Sequence, residues 1–297
     1  MIAETTVLQV IMRQIEATDG LCYVQGQLRA SGAAQRGFGY CPQANALFDT
    51  LTAREMLLFY TVIRGIPPTE APDYTEGWLR ATRLAGYAET RCGNLSGGNK
   101  RKLSLAIAVM GNPSLVVLDE PSAGVDPAAR KKLHHVINGV KRSGATVVLT
   151  THHMSEAAAL GSRIGIMLHG HLACIGTPQH LLARYSEGYE LSVCMASGGS
   201  VETEVLPMLR RLCPQHTVVD QPDAQFCKVA LGEQSSFPLP ELYAALEDLK
   251  RSQAVEFFSC GQANLESVFL RFTAVAETKE REAEERAAEE RADTAGS

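Results

Sequence analysis

Apolar positions change period along the chain, and each change marks an element. Val7, Leu8, Val10, Ile11 and Ile15 recur at helical spacing, and Asp19–Gly20 follows as a turn. LCYVQG (21–26) reads as a short strand, and GFGYCPQ (37–43) as a strand running into a loop. Residues 53–64 predict a helix stopped by Pro67–Pro68, and residues 76–86 an amphipathic helix closed by Gly86. A helix over 98–110 leads into SLVVLDEP (114–121), an unbroken apolar strand of the kind buried on both faces. A helix over 127–143 and a second buried strand, ATVVLTTH (145–152), complete the alternation. Helix and buried strand in turn predict an α/β fold built on a parallel sheet.

The pattern changes near Gly188. Strand (189–196), helix (201–212), strand (216–221), strand (225–231), helix (239–250), strand (254–259) and a last helix (264–274) follow. The order β-α-β-β-α-β predicts a small ferredoxin-like α+β domain. From Glu277 to Asp293 the chain holds eight acids and four bases and no apolar stripe, a solvated low-complexity tail. The expected organisation is therefore a domain over 1–187, a second over 188–275 and a tail over 276–297.

Composition narrows the function. The 297 residues are 45% hydrophobic and 21% charged, ordinary for a globular protein. The net charge is -5, and the tail supplies most of it, so bulk charge gives no support for nucleic-acid binding. The eight cysteines are scattered without a CxxC pair, which predicts reduced, mostly buried thiols in a cytosolic setting. No apolar run reaches the length of a membrane span. A membrane role must therefore come through a partner or through a further part of the polypeptide.

Four segments carry candidate chemistry. Gln43 closes YCPQ at a strand end, where an amide can reach a magnesium ion or a water beside a phosphate. In LSGGNKRKLS (95–104), Ser96, Gly97 and Gly98 precede a helix; glycines let backbone N–H groups approach an anion, and the helix start is partly positive. The same string also reads as a serine N-cap with a glycine turn. LVVLDEPSAGVDP (115–127) brings Asp119 to the carboxyl end of a buried strand, where a carboxylate can hold Mg²⁺. Glu120 beside it can polarise a water, and Asp126 falls on a turn near the site. His152, in VVLTTHHM, reaches the same edge of the next strand, placed to sense a phosphate.

Together these residues resemble the ATP-binding cassette (ABC) family. Gln43 matches its Q-loop, LSGGN (95–99) its signature with Asn99 where glutamine is usual, and LVVLDE (115–120) its Walker B strand. SAGVD (122–126) matches the D-loop and His152 the switch histidine. GYCPQ, SGGNKRKLS, LDEPSAGVDP, LTTHHM and NLESVFLRF (264–272) look like the A subfamily, as does a small domain after the cassette. The resemblance implies a P-loop NTPase-type fold, Mg²⁺ and ATP as ligands, and Glu120, His152 and Gln43 as catalytic groups. It implies Asp119, Gln43 and Thr5 at the metal, and Ser96, Gly97, Gly98, Asp126, Thr5 and Thr6 against nucleotide. It further implies a second nucleotide-binding domain as partner, transmembrane domains, and lipid export from the cytoplasmic face of a membrane.

The family's phosphate loop, GxxGxGK[ST], is not found. Its end aligns with Met1–Val7, which sets Glu4 where the lysine belongs and Thr5 on the magnesium-ligating Ser/Thr. Glutamate repels phosphate, so the expectation is a cassette incomplete at its N-terminus, with a damaged core and little ATP turnover on its own. Three readings stay open: a transporter motor, a non-transport ABC ATPase, and an inactive cassette lending only its signature in trans. ALFDTLTAREMLLFY (46–60) fits a membrane-domain docking surface and, equally, an ordinary core helix.

Overall fold

The protein is represented by a computed structural model that describes residues 2–28, 37–185, 188–196, 199–232, 237–274 and 276. The expected tail over 276–297 lies outside them, residue 276 apart. The chain divides into two compact units, Met1–Leu160 and Gly161–Ser297. The division falls well before the boundary expected at 187/188. Two strands and a helix that the sequence pattern does not announce, over 164–185, belong to the second unit.

The first unit opens with α1 (Ile2–Ile11), then a small hairpin of β1 (Tyr23–Val24) and β2 (Gln27–Leu28). Gln25 and Gly26 both sit at positive φ, the two-residue turn that closes such a hairpin. The strand expected over 21–26 is thus only its first arm. β3 (Phe38–Cys41), β4 (Leu115–Asp119) and β5 (Thr146–Thr150) form a three-stranded parallel sheet in the order β3-β4-β5. Central β4 is buried at all five positions, and its side chains alternate between two cores. Val116 and Leu118 pack with Cys41, Leu105, Leu133 and Ile137; Leu115 and Val117 pack with Leu8 of α1 and Phe38. β5 is half-buried rather than buried, because it lies at the edge of the sheet.

Three helices make a separate core: α2 (Ala53–Ile63), α3 (Ala71–Ala81) and α4 (Gly97–Val109), joined around Met56, Leu57, Leu79, Leu103 and Met110. α2 begins in a reciprocal capping box between Thr52 and Glu55. α3 starts earlier than the apolar pattern suggests, because Pro72 fits the first turn, and it ends before Gly86. α5 (Pro127–Arg142) and α6 (Met154–Leu160) finish the unit.

The second unit begins with the hairpin β6 (Ile164–Leu168) and β7 (His171–Gly176), then α7 (Pro178–Tyr185). Four more strands follow: β8 (Tyr189–Met195), β9 (Thr217–Asp220), β10 (Phe226–Gly232) and β11 (Val255–Gln262). Their sheet order is β11-β8-β10-β9, every neighbour antiparallel. A π-helical turn (Val201–Val205) running into α8 (Leu206–Leu212) joins β8 to β9, and β10 fills the gap between them. α8 and α9 (Leu239–Arg251) cover one face of the sheet, with Leu209 and Leu246 packing in one core with Leu191, Val193 and Val229. A final helical run covers 265–274.

Candidate nucleotide site

The candidate residues gather at the carboxyl ends of β4 and β5. Parallel pairing sets Asp119 directly opposite Thr150, and Thr150 Oγ1 donates to Asp119 Oδ1 at 2.6 Å. Asp119 is 1% exposed, and its Oδ2 is buried with no hydrogen-bond partner. An ionised oxygen buried without a donor is costly, and a hard cation is the group that satisfies it. This is the observation by which Mg²⁺ fits the site.

Glu120 leaves the strand in the left-handed region, at φ 47. A non-glycine residue held there carries strain of about 1–2 kcal/mol. Its amide bonds to the Thr150 carbonyl and hydroxyl, both at 3.2 Å, and so fixes the turn. The carboxylate meets His152 Nδ1 at 3.2 Å; Glu120 is nearly buried, and His152 is exposed with its ring 4.1 Å from that of His153. Burial, then the neighbouring His152, holds the His153 imidazole below its ordinary range. A carboxylate fixed by strand register and an imidazole open to solvent form a pair that can polarise a water and contact an added anion.

The segment after β4 is tied to the segment after β5. Glu156, buried on α6, accepts from Ser122 Oγ at 2.9 Å and Thr151 Oγ1 at 2.6 Å and pairs with His134 Nε2 at 2.9 Å. Sequence reasoning missed this carboxylate, because the sequence does not show that α5, α6 and two loops converge on it.

Ser96 caps α4: its Oγ accepts from the Asn99 amide at 3.3 Å. The N-cap reading of this serine therefore holds. Gly97 and Gly98 have ordinary helical φ, and a Cβ added at either meets nothing within 4 Å. Neither the backbone conformation nor the packing of this chain asks for glycine at those positions. Asp126 caps α5 through the Ala129 amide at 2.9 Å, and that backbone bond holds its carboxyl below the usual range. The structure gives Asp126 this capping bond and none to Asp119 or Glu120.

Gln43 follows β3, exposed, with its carbonyl held by Arg101. Thr5 and Thr6 lie in the first half of α1, partly exposed and exposed, and α1 reaches the sheet through Leu8. No group of three or more His, Cys, Asp or Glu fit for a metal occurs among the described residues. No helix among the described residues is long and apolar enough to cross a membrane.

The family described as ABC transporter matches residues 4–123. Human ATP-binding cassette sub-family A member 2 is 36% identical over 271 residues, 91% of this chain and 11% of that protein. Human phospholipid-transporting ATPase ABCA3 is 35% identical over 273 residues, 91% of this chain and 16% of that protein. The chain thus spans less than a fifth of the length of either relative. A solved ATP-binding subunit of an ABC transporter superposes with a TM-score of 0.56 at 26% identity, covering 62% of this chain and 77% of its own. Five motifs in family order, the fold that carries them and these relatives agree: the chain belongs to the ABC transporter family, as a nucleotide-binding domain of the A-subfamily type.

Proposed function

We propose that this chain is an ATP-driven motor domain of a membrane transporter whose cargo is lipid. The observation that carries the reading is Asp119, with one carboxylate oxygen held by Thr150 and the other buried and open to a cation. When bound, magnesium–ATP supplies the terminal phosphoryl group to be transferred. Asp119 would hold the metal from the end of β4, with Gln43 and Thr5 as further ligands. Glu120 would orient and polarise the attacking water, and His152, at the solvent-facing end of the pair, would contact the phosphate. The lipid cargo rests on a relative named as a phospholipid-transporting ATPase, and the cytoplasmic face of a membrane is carried over from the family resemblance alone.

The partner is a second nucleotide-binding domain. Ser96, Gly97 and Gly98 would face the phosphates that it holds, which gives the open space at both glycines a purpose that folding does not. Membrane domains would dock on the apolar exposed set around α2, where Phe48, Phe59, Val62 and Ile63 are all open to solvent. Phe48 and Phe59 already stack edge to face at 5.9 Å.

A second reading has its own support. No GxxGxGK[ST] string, the family's glycine nest for phosphates, occurs in residues 1–297. On that reading the chain lends only its signature to a partner's nucleotide. Calorimetric ATP titration with a phosphate-release assay on the 297-residue chain separates the two. Micromolar binding with steady turnover supports the motor. Binding and turnover that appear only with a second, phosphate-loop-bearing domain, and survive Glu120→Gln in this chain, support the trans role.

A further inference from the structure

Arg101 is the largest fully buried side chain in the first unit, 2% exposed in the middle of α4. A guanidinium has five N–H donors in a fixed plane. Here each has a carbonyl. Nε donates to Pro121 at 3.1 Å; Nη1 donates to Pro42 and to Gln43, the latter at 3.2 Å; Nη2 donates to Asp119 and to Glu120, the latter at 2.7 Å. The five acceptors come from two loops far apart in sequence, the one after β3 and the one after β4. None is a carboxylate, so the charge is satisfied entirely by main-chain dipoles.

We propose that Arg101 is a positioning residue that clamps the backbone of Gln43 to the backbone of Asp119 and Glu120, and ties both to the helix whose start is Ser96–Gly98. The inference rests on the reading of those residues as a nucleotide site. Gly97 and Gly98 lie one helical turn before Arg101, so a ligand meeting the start of α4 pushes on a rigid element already bonded to both loops. A planar fork can reach five acceptors; the single ammonium of lysine has three donors at one point and cannot bridge the same set. Apolar packing alone would not need such saturation.

The test uses the full 297-residue chain, labelled with ¹³C and ¹⁵N, with Arg101→Lys and Arg101→Met. In the parent chain the Arg101 guanidinium protons should resolve individually, since five bonds stop rotation of the group. In both variants the carbonyl ¹³C resonances of Pro42, Gln43, Asp119, Glu120 and Pro121 should move together, with the resonances of β8 to β11 unmoved. Movement on one loop only, or on neither, overturns the clamp. Should the methionine variant fail to fold, the lysine variant decides. Where the parent turns over magnesium–ATP, Arg101→Lys should lower kcat by about 100-fold with KM changed less than about threefold. A KM rise at constant kcat overturns the positioning role. A parent without turnover counts against the ATPase reading, and the clamp then stands or falls on the carbonyl shifts.

Discussion

Thr150 Oγ1 donates to Asp119 Oδ1 at 2.6 Å and itself accepts from the Glu120 amide at 3.2 Å, so one threonine fixes both acidic residues at the end of β4. Thr150→Val keeps the shape and removes both bonds. Asp119 would then bury two oxygens without donors. The expected loss is about 1–3 kcal/mol in urea unfolding, and Thr150→Ser should restore most of it. A valine variant as stable as the parent would show that Asp119 does not depend on this bond.

Glu120 and His152 face each other at 3.2 Å across the β4 and β5 ends. In a preparation that hydrolyses ATP, Glu120→Gln should reduce turnover by about 100-fold or more while nucleotide binding stays within a few-fold, because the charge on the water-polarising group is lost and Asp119 remains. Parent-like phosphate release from the variant would remove Glu120 from the mechanism.

Glu156 is 1% exposed and serves Ser122, Thr151 and His134 at once. Glu156→Leu leaves the buried Ser122 hydroxyl, the half-buried Thr151 hydroxyl and the His134 imidazole without their acceptor. Leaving buried polar groups unsatisfied costs about 1–3 kcal/mol, measurable as a lower urea midpoint. Glu156→Gln retains one acceptor oxygen and should cost about half as much or less. Equal effects of the two substitutions would mean that the cavity matters and the hydrogen bonds do not.

The sequence makes the chemistry legible where local pattern and motif coincide. The apolar run of β4 predicts a strand buried on both faces and puts Asp119 at its end, and both are found. Ser96 and the helix after it follow from capping rules. What escapes is long-range. Arg101 looks like one more base in a basic helix start, and only the return of Pro42–Gln43 and Asp119–Pro121 to the same point shows why it is buried. The hairpin of β6 and β7 turns on His169–Gly170, a two-residue loop without the usual Asn-Gly or Asp-Gly signal. Its strands carry exposed Leu172 and Ile175, which blur the alternation that would announce them.

Burial holds His153 below its ordinary value of 6.5, so the folded chain takes up a proton less readily than the unfolded chain. The unfolded state therefore binds more protons between the two values, and stability rises with pH there. The contribution is complete above about pH 6.5 and is lost as pH falls through the folded value. His153→Gln should flatten the stability profile in the interval just below about pH 6.5. Urea titrations across that interval check the slope. An unchanged slope would assign it to another group.

Gly39 and Gly97 serve opposite purposes, and one substitution at each shows it. A Cβ on Gly39 would overlap the Ala108 carbonyl oxygen and lie 2.9 Å from its carbon, with Pro113 Cγ at 3.4 Å. The obstacle is helix backbone, which cannot rotate away as a side chain would. Gly39 is also paired with Val116 in the sheet, so β3 cannot retreat without breaking its ladder with β4. Gly39→Ala should cost about 3 kcal/mol. At Gly97 nothing lies within 4 Å, and the residue is helical. Alanine there loses less conformational entropy on folding, so Gly97→Ala should stabilise the isolated chain by about 0.5–1 kcal/mol. On the proposed reading, the same methyl should weaken nucleotide-driven pairing with a second cassette, because it would enter the space proposed to receive a phosphate. Paired urea unfolding and analytical ultracentrifugation with ATP test both halves. Destabilisation by Gly97→Ala would mean that this glycine answers to the chain's own fold, and pairing unchanged by it would mean that the start of α4 does not meet the partner's nucleotide.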